Sequence, residues 1–343
     1  MKRTLLLVLA TALTAGPALA QVTVTGEVFL SHKVILQNTE LTAATTPKTE
    51  GTDLDRFRIS VANKFNDQWS FRGTFEGRAD GTNVLRIPLA SFIGTGILMD
   101  KDTLTIGIQV PNAFNLDSMG NRWITAPFID DEGFLINSLP SGLSYKMVFN
   151  ALSVTLSSLS AESGTNLDSN DNIKMTGALI DYKINDAFLV WVSGTGVNGV
   201  ETVGTNAGVA LSGTKSTVVT TAGLNYKSEM VDAAFTYASA AYTVETGTAP
   251  KNNLGMGLNG TFKKLGGSST NLYVDYRFGY DSYADTLEDT QSKMMIGPTW
   301  GLADGKMNLG VFYQMETFQG DYKTAFPLAK DPSNLFVKLA AKF

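Results

Sequence analysis

The sequence contains no cysteine among its 343 residues. Disulfide bonds therefore cannot stabilise the fold, and thiolate metal sites are excluded. Histidine is almost as scarce, because His32 is the only one in the chain. Stability and function must both come from other residue types.

Long hydrophobic runs are also missing once the first twenty residues are set aside. No later stretch approaches the 18 or so consecutive apolar residues of a membrane-spanning helix, which excludes a helical membrane protein. Basic residues do not predominate either, because 27 lysines and arginines stand against 32 acidic residues, for a net charge of −5. An acidic chain binds a phosphate backbone poorly, so nucleic acid is not expected as a partner.

The start of the chain has the three parts of a secretory signal peptide. Lys2 and Arg3 form a positive start, residues 5–13 form an apolar run, and residues 18–20 read Ala-Leu-Ala. The apolar run is too short to cross a bilayer as a helix, so we expect cleavage before Gln21. Loss of this segment makes the net charge more negative and places the mature protein outside the cytoplasm.

The mature chain, residues 21–343, is rich in Gly, Thr, Ser, Asn and aromatic residues, and its apolar residues alternate with polar ones. This composition and this period are typical of an all-β protein. The alternation predicts about sixteen strands in a single domain: 22–36, 54–66, 69–80, 83–93, 103–110, 143–149, 151–161, 172–184, 187–197, 216–227, 230–245, 253–265, 270–282, 292–302, 307–319 and 333–343. Segment 83–93 has the weakest pattern, and fourteen or eighteen strands are the alternatives.

The predicted connections alternate between long and short. The long ones include 37–53, 111–142, 198–215 and 320–332. The short ones include 66–68, 185–186, 228–229 and 303–306. Bacterial outer-membrane barrels have this asymmetry, with tight turns on the periplasmic side and longer loops outside. An even number of strands then returns both chain termini to the periplasm.

Strand length separates a membrane barrel from a soluble sandwich, since both alternate. In the predicted strand 270–282, Leu272, Val274 and Tyr276 share one face, while Asp275 and Arg277 share the other. Strands of this kind run to ten or more residues, which a tilted membrane strand needs, against about five or six in soluble sheets. The pattern therefore favours strands that cross a bilayer.

The last strand gives the clearest single indication of where in the cell the protein is located. One face carries apolar residues and ends on the carboxy-terminal aromatic, in the order Leu335, Val337, Leu339, Ala341 and Phe343. A terminal phenylalanine on the lipid face of such a strand resembles the signal that hands outer-membrane proteins to the barrel-assembly machinery. We therefore predict an outer-membrane protein, surrounded by lipid, whose assembly signal is Phe343.

Backbone amides cannot stay unpaired in hydrocarbon, so a membrane sheet must close into a barrel. At about sixteen strands the interior is too wide for side chains to fill, and an aqueous channel remains. The predicted fold is thus a transmembrane antiparallel β-barrel with a water-filled pore for ions and small hydrophilic solutes.

Basic residues gather on the inward face of three neighbouring predicted strands. They are Arg56, Arg58, Arg72, Arg78 and Arg86. Nearby carboxylates such as Glu76 could balance them as an ordinary solvated wall, or the patch could select anions. Both interpretations remain open from sequence.

The longest predicted connection, 111–142, contains four acidic residues: Asp117, Asp130, Asp131 and Glu132. Around it the chain resembles the bacterial general porins, whose third external loop bends inward and narrows the pore. The resemblance rests on Gly107, Gln109, Pro111, Asn137, Ser138 and Tyr145. Ile108 stands where the family commonly has an arginine, and an acidic P-E-F-G-G-D type of loop signature is missing.

The resemblance implies a homotrimer of sixteen-stranded barrels, each with an inward-folded constriction loop. It also implies that the acidic loop residues face the arginine patch across the narrowest point. Opposed charges of this kind create a transverse field, which favours polar solutes over apolar ones. The arginines favour anions and the loop favours cations, so the sign of the selectivity stays open.

Catalysis and metal binding have little support. His32 falls on the apolar face of the first strand with Val28 and Leu30, away from any wet cleft where it could act as a general base. The pair Asp130 and Asp131 could bind a divalent cation but is better interpreted as solvated. We therefore expect no enzyme activity, no metal site and no cofactor. A substrate-selective anion channel and an adhesive surface barrel are the alternatives to a passive pore.

Overall fold

The structure is a computed structural model. It describes residues 22–37, 51–77, 85–109, 141–162, 172–206, 209–246, 249–265, 270–283, 287–304, 306–320 and 333–343. The predicted signal peptide lies outside these residues.

The described residues form strands and turns. No helix among them is long and apolar enough to cross a membrane. Sixteen strands occur in this part of the chain: β1 (Thr23–Gln37), β2 (Gly51–Lys64), β3 (Trp69–Gly77), β4 (Leu85–Thr95), β5 (Thr103–Ile108), β6 (Ser141–Phe149), β7 (Leu152–Glu162), β8 (Asn172–Lys183), β9 (Phe188–Asn206), β10 (Val209–Lys227), β11 (Val231–Thr246), β12 (Ala249–Leu265), β13 (Thr270–Tyr283), β14 (Leu287–Leu302), β15 (Met307–Gly320) and β16 (Ser333–Lys342).

Each strand pairs antiparallel with its neighbours in sequence, and β1 also pairs with β16, which closes the sheet into a barrel. The prediction of an all-β antiparallel architecture is confirmed. The weakly patterned segment 83–93 corresponds to β4, which pairs with β3 on one side and β5 on the other. A register shift in β4 opposite Thr74 and Glu76 surrounds Pro88, a residue that cannot donate to the ladder.

Short turns lie together at one end of the barrel, which we call the turn end; the opposite end is the loop end. Two of these turns share the pattern Lys-x-Asn-Asp, at residues 64–67 and 183–186. In the first, the Asn66 side chain accepts the backbone N–H groups of Gln68 and Trp69 at 2.9 and 2.7 Å. Asn185 does the same in the second turn, at 2.8 and 2.9 Å. The asparagine side chain thus fixes the reversal that joins each pair of strands.

The prediction of a long loop at 198–215 is wrong. Strand β9 continues to Asn206 and β10 begins at Val209, so each has 19 residues. Pairs such as Val200 with Thr214 and Thr202 with Ser212 extend the ladder through residues that lack apolar alternation. A membrane strand needs only about 9–11 residues, so this hairpin exceeds what the apolar band requires. The backbone pairing continues there without an apolar alternation in the sequence.

The two faces of the barrel differ sharply. On β9, the outward-facing Val192 is 44% exposed, whereas the inward-facing Trp191 and Ser193 are buried. The same outward exposure of large apolar side chains recurs around the barrel, at Phe92, Ile106, Leu156, Ile180, Phe235 and Tyr276. Buried polar side chains lie on the inner face. This is the reverse of a soluble protein and matches a barrel surrounded by lipid.

Aromatic side chains lie on the outer face near the turn end. Phe65 and Phe92 stack with ring centroids 6.2 Å apart, and Phe188 contacts Tyr226 at 4.6 Å. Phe343 is 70% exposed at the same end. Aromatic girdles at the edge of the apolar band are typical of outer-membrane barrels.

Candidate functional site

Two of the predicted arginines have described side chains, and both lie on the inner face. Arg58 on β2 is partly buried, and Arg72 on β3 is exposed to the lumen. The backbones of Arg56 and Arg86 hold inner-face positions, opposite Phe29 and Glu76 respectively. Arg78 lies outside the described residues. The structure therefore brings four of the five predicted arginines to one arc of the wall, on β2 to β4.

A carboxylate is inserted into this arc. The Nε of Arg58 donates to Oε2 of Glu76 at 2.6 Å, and the Glu76 side chain is fully buried. Burial of a carboxylate is costly unless the charge is paired, so this contact stabilises Glu76 in place. Arg58 is thus paired with a carboxylate of the neighbouring strand.

The strand register extends this pairing into a row of alternating charge. Reading across five adjacent strands from β16 to β4, the row contains Lys342, Glu27, Arg58, Glu76 and Arg86. The Nζ of Lys342 lies 3.7 Å from Oε1 of Glu27. Directly opposed residues on neighbouring strands are close enough for opposite charges to attract. The row crosses the seam where β16 meets β1.

Closure of the barrel also brings basic residues of two further strands beside the arginines. Lys338 and Lys342 on β16 and Lys33 on β1 share the inner face with the arginines. We call the combined set the basic arc: Lys33, Arg56, Arg58, Arg72, Arg86, Lys338 and Lys342. The carboxylates in register within it are Glu27, Asp53 and Glu76. Basic residues therefore outnumber carboxylates at the inner-face register positions of these five strands.

The wall formed by β6 to β11 is different in character. Its buried inner-face side chains are mostly hydroxyls, namely Ser144, Ser153, Thr155, Ser193, Thr195, Thr221 and Thr236. Ser193 and Thr221 bond each other at 2.6 Å across neighbouring strands. Lys146 lies on this wall too, 3.6 Å from a carboxylate oxygen of Asp181. The lumen thus has a basic side and a largely neutral, polar side.

Part of the porin-like sequence pattern lies where β5 leads into the predicted constriction loop. The side-chain amide of Gln109 donates to the carbonyl of Gly142 on β6 at 3.2 Å, and Gln109 is buried. Gly107 has a φ of 129°, and a Cβ there would lie 2.2 Å from the Ala90 carbonyl oxygen. Only glycine permits this backbone approach.

Of the remaining residues of that pattern, only Tyr145 belongs to the part of the chain that the structure describes. Tyr145 donates its hydroxyl to the Asp102 carboxylate in the turn 96–102. Pro111, Asn137 and Ser138 lie outside the described residues. The four acidic residues of the predicted constriction loop lie outside them as well: Asp117, Asp130, Asp131 and Glu132. A charge-opposed constriction therefore stays a prediction.

An aromatic cluster occupies the inner wall on β13 to β16. Tyr273, Met295 and Phe312 are fully buried, and Phe336 packs against them half-buried. The rings of Tyr273 and Phe312 meet edge to face at a centroid distance of 5.7 Å. The Tyr273 ring is enclosed by this cluster. Only Phe336 of the four has a partly exposed side chain.

The single histidine lies on the outer face. His32 is exposed, opposite Val337 and Thr52 in the sheet, and its Nδ1 is 2.9 Å from the Thr52 hydroxyl. Among the described residues, no group of three or more His, Asp or Glu side chains could hold a metal ion.

No protein-family model matches the chain. No curated protein sequence matches it either. Several solved structures do match in three dimensions. The trimer form of the in-vitro folded outer-membrane protein OmpT of Vibrio cholerae superposes with a TM-score of 0.67 at 13% identity, over 94% of this chain and 99% of that one.

Two further outer-membrane proteins of known structure have a similar degree of structural similarity to this chain. The outer-membrane channel DcaP of Acinetobacter baumannii gives a TM-score of 0.66 at 14% identity, over 96% of this chain and 99% of its own. An anion-selective porin from Comamonas acidovorans gives 0.64 at 12% identity, over 94% and 99%. Because the sequence identities are low, the comparison supports a statement about the fold only: this chain has a porin-like fold.

Proposed function

We propose that this protein is an outer-membrane porin, a water-filled channel through which ions and small hydrophilic solutes diffuse passively. The observation that carries the proposal is the division of one closed sheet into an apolar outer face and a polar, charged inner face. A lipid-exposed barrel is the only sheet that satisfies its backbone in hydrocarbon. Sixteen strands enclose a lumen too wide to be filled by side chains.

The channel prefers anions in this proposal. The basic arc has seven cationic residues on five adjacent strands, with three carboxylates in register among them. Charges that line a narrow, low-dielectric passage raise the local concentration of the opposite ion. The overall acidity of the chain does not oppose this, because salt screens charges farther than roughly 8 Å from the passing ion. The fold likeness to an anion-selective porin supports the same direction.

The predicted constriction loop belongs to this proposal as well. If Asp117, Asp130, Asp131 and Glu132 face the basic arc, the narrowest point has a transverse field and a weaker anion preference than the arc alone would give. Whether the channel prefers anions or cations therefore shows whether the basic arc or the acidic loop has the greater effect on the passing ion. The arc is the better supported side, since Arg58 and Arg72 lie on the inner face.

The remaining parts of the proposal concern assembly. Residues 1–20 are removed as a signal peptide, Phe343 is read by the barrel-assembly machinery, and both termini lie in the periplasm. Three copies associate through their outer faces; the trimer form of the Vibrio OmpT, which shares the fold, supports this state. No catalytic role is assigned, because His32 lies on the outer face beside apolar residues.

Reconstitution of the mature protein in a planar bilayer tests the proposed function. We expect stepwise increases in current, each of a fixed size, as single channels insert. A protein that shifts in gel mobility on heating, as folded barrels do, but never conducts would contradict the proposal.

A further inference from the structure

One turn at the turn end of the barrel is longer and more apolar than its neighbours. Residues 96–102 join β4 to β5, whereas the turns after β2 and β8 have four residues each. Those two turns have Asn-Asp at their tips, but this one has Ile97, Leu98 and Met99 in succession. Leu98 is 78% exposed and Met99 is 38% exposed. Two exposed apolar side chains in succession suit contact with an apolar partner better than contact with water.

The turn has a fixed shape, because it is built around a buried carboxylate. The Asp102 side chain is buried and accepts the backbone N–H groups of Ile97, Leu98 and Met99 at 2.6, 2.7 and 2.9 Å. The Tyr145 hydroxyl on β6 donates to the same carboxylate. Hydrogen bonds to a charged group are stronger than those between neutral groups. Leu98 and Met99 are therefore held at the surface in one position.

The turn bends toward the outer face of the barrel. Gly94 lies on that face, in register with Trp69 on β3. A Cβ added to Gly94 would be 3.0 Å from the Cδ1 atom of Ile97 and 3.0 Å from the ring of Trp69. Ile97 thus covers the part of the outer face that a side chain at position 94 would occupy. Leu98 and Met99, which follow it, extend the apolar outer surface past the ends of the strands.

Other exposed apolar side chains lie at the same level of the barrel. They are at or next to the last residues of β2, β6, β8, β14 and β16, and their exposed fractions run from 42% to 70%: Phe65, Phe149, Ile184, Leu302 and Phe343. These strands are distributed around the whole circumference. A ring of this kind marks the edge of a lipid layer, since a contact with one neighbouring copy would occupy one side only.

We propose that the turn 96–102 is a membrane anchor, which inserts Leu98 and Met99 into the phospholipid leaflet at the turn end of the barrel. The exposed residues Asp100 and Lys101 follow directly and remain among the lipid headgroups and water. Apolar side chains beside charged ones are typical of segments that lie in a membrane interface. The inference rests on the membrane location in the proposed function and goes beyond it, because an anchored barrel need not conduct.

A spin label tests the position of the turn. Because the chain has no cysteine, Leu98→Cys provides a single attachment site for a nitroxide. In vesicles of phosphatidylethanolamine and phosphatidylglycerol, power saturation measures collisions of the label with oxygen, which dissolves in lipid, and with a nickel chelate, which dissolves in water. We expect the ratio of oxygen to nickel collisions to be several-fold higher at position 98 than in the matched control Asp67→Cys, whose position is fully exposed in a polar turn. Equal ratios would overturn the proposal.

Contact with a second copy of the chain is the competing explanation for the exposed turn. Two nitroxides that lie close together broaden each other's spectra, and dilution with unlabelled protein removes the broadening. We expect the spectrum of the label at position 98 to be unchanged by dilution. Broadening that dilution removes would overturn the assignment to lipid. Met99→Cys takes the same two measurements if Leu98→Cys fails to assemble.

A polar substitution tests whether the contact with lipid stabilises the barrel. Leu98→Asn removes an apolar side chain that contacts little protein, so a lower midpoint of urea unfolding in vesicles has to come from lost contact with lipid. We expect this decrease in Leu98→Asn and no change in the control Asp67→Asn. An unchanged midpoint in Leu98→Asn would overturn the anchor.

Conductance of the same reconstituted protein separates this inference from the proposed function. A label at position 98 that lies in lipid, in a protein that never conducts, would support the anchor and contradict the channel. Normal conductance with the label in water would support the channel and contradict the anchor.

Discussion

Phe343 and Gly26 form the last backbone pair at the turn end of the barrel seam. The Phe343 N–H donates to the Gly26 carbonyl at 3.0 Å, and the Gly26 N–H donates to the Phe343 carbonyl at 2.7 Å. The Phe343 ring then lies over Gly26, where an added Cβ would be 2.2 Å from it, and stacks on Phe57 at 6.5 Å. The carboxy-terminal aromatic is therefore part of the closing contact as well as the proposed assembly signal.

Gly26→Ala should weaken the seam, because the new methyl group occupies the place of the Phe343 ring. We expect a loss of about 1–3 kcal/mol in the free energy of unfolding, measured by urea denaturation in lipid vesicles. Gly194→Ala is the matched control, since no atom lies within 4 Å of a Cβ added there. Equal losses in the two variants would show that the Phe343 contact is not responsible.

Arg58→Gln should destabilise the barrel more than Arg72→Gln does. Arg58 donates to the buried Glu76, whereas Arg72 is exposed to the lumen. Loss of a hydrogen bond to a buried charge costs about 1.5–3 kcal/mol, and loss of an exposed arginine costs little. The midpoint of urea unfolding for the two variants measures this difference. Midpoints that match would mean that Glu76 is not stabilised by Arg58.

Much of the barrel could be predicted from sequence because lipid and water impose alternation on every strand. Leu272 and Tyr276 are exposed and Tyr273 and Asp275 are buried, as period two requires. The hairpin of β9 and β10 could not be predicted to its full length, since pairs such as Thr202 with Ser212 have no apolar face. Backbone pairing continues there without a side-chain pattern to reveal it.

The basic arc was only partly predictable for a different reason. Arg56, Arg58, Arg72 and Arg86 lie on consecutive strands, so local alternation places them together. Lys33 and Lys338 lie at opposite ends of the chain and become neighbours only when β1 pairs with β16. Period two puts Lys338 on the inner face, but only the register of the closed seam places it beside Lys33.

Removal of seam lysines should reduce the anion preference. The double variant Lys338→Gln, Lys342→Gln lacks two positively charged side chains of the basic arc. Its ratio of chloride to potassium permeability should be lower than that of the wild type by a factor of about two or more. Reversal potentials in a potassium chloride gradient measure the ratio. Lys146→Gln, from the hydroxyl-lined wall, should change it less. A larger change in that control than in the double variant would contradict the assignment of the arc.

Asp102 should make the turn end of the barrel sensitive to acid. Burial alone would raise the pKa of Asp102, but the Tyr145 hydroxyl and the backbone N–H groups of residues 97–99 outweigh it and lower the pKa to about 2. Because the folded-state pKa is below the ordinary 3.8, this stabilisation is present above about pH 4 and is lost as the pH falls toward 2.

The comparison of Asp102→Asn with wild type checks this pH dependence. The variant should melt several degrees lower at pH 6, and the gap should narrow between pH 4 and pH 2. Thermal unfolding followed by gel mobility gives both values. A gap that stays constant down to pH 2 would show that ionised Asp102 is not what stabilises the turn.

The reversal potential of single wild-type channels in a tenfold potassium chloride gradient tests the proposed function and its selectivity together. The account predicts discrete conductance steps and a reversal potential of the sign set by chloride, because the basic arc dominates the passage. Absence of any conductance from folded protein would contradict the porin proposal. Discrete steps with a reversal potential of the sign set by potassium would contradict the role given to the basic arc.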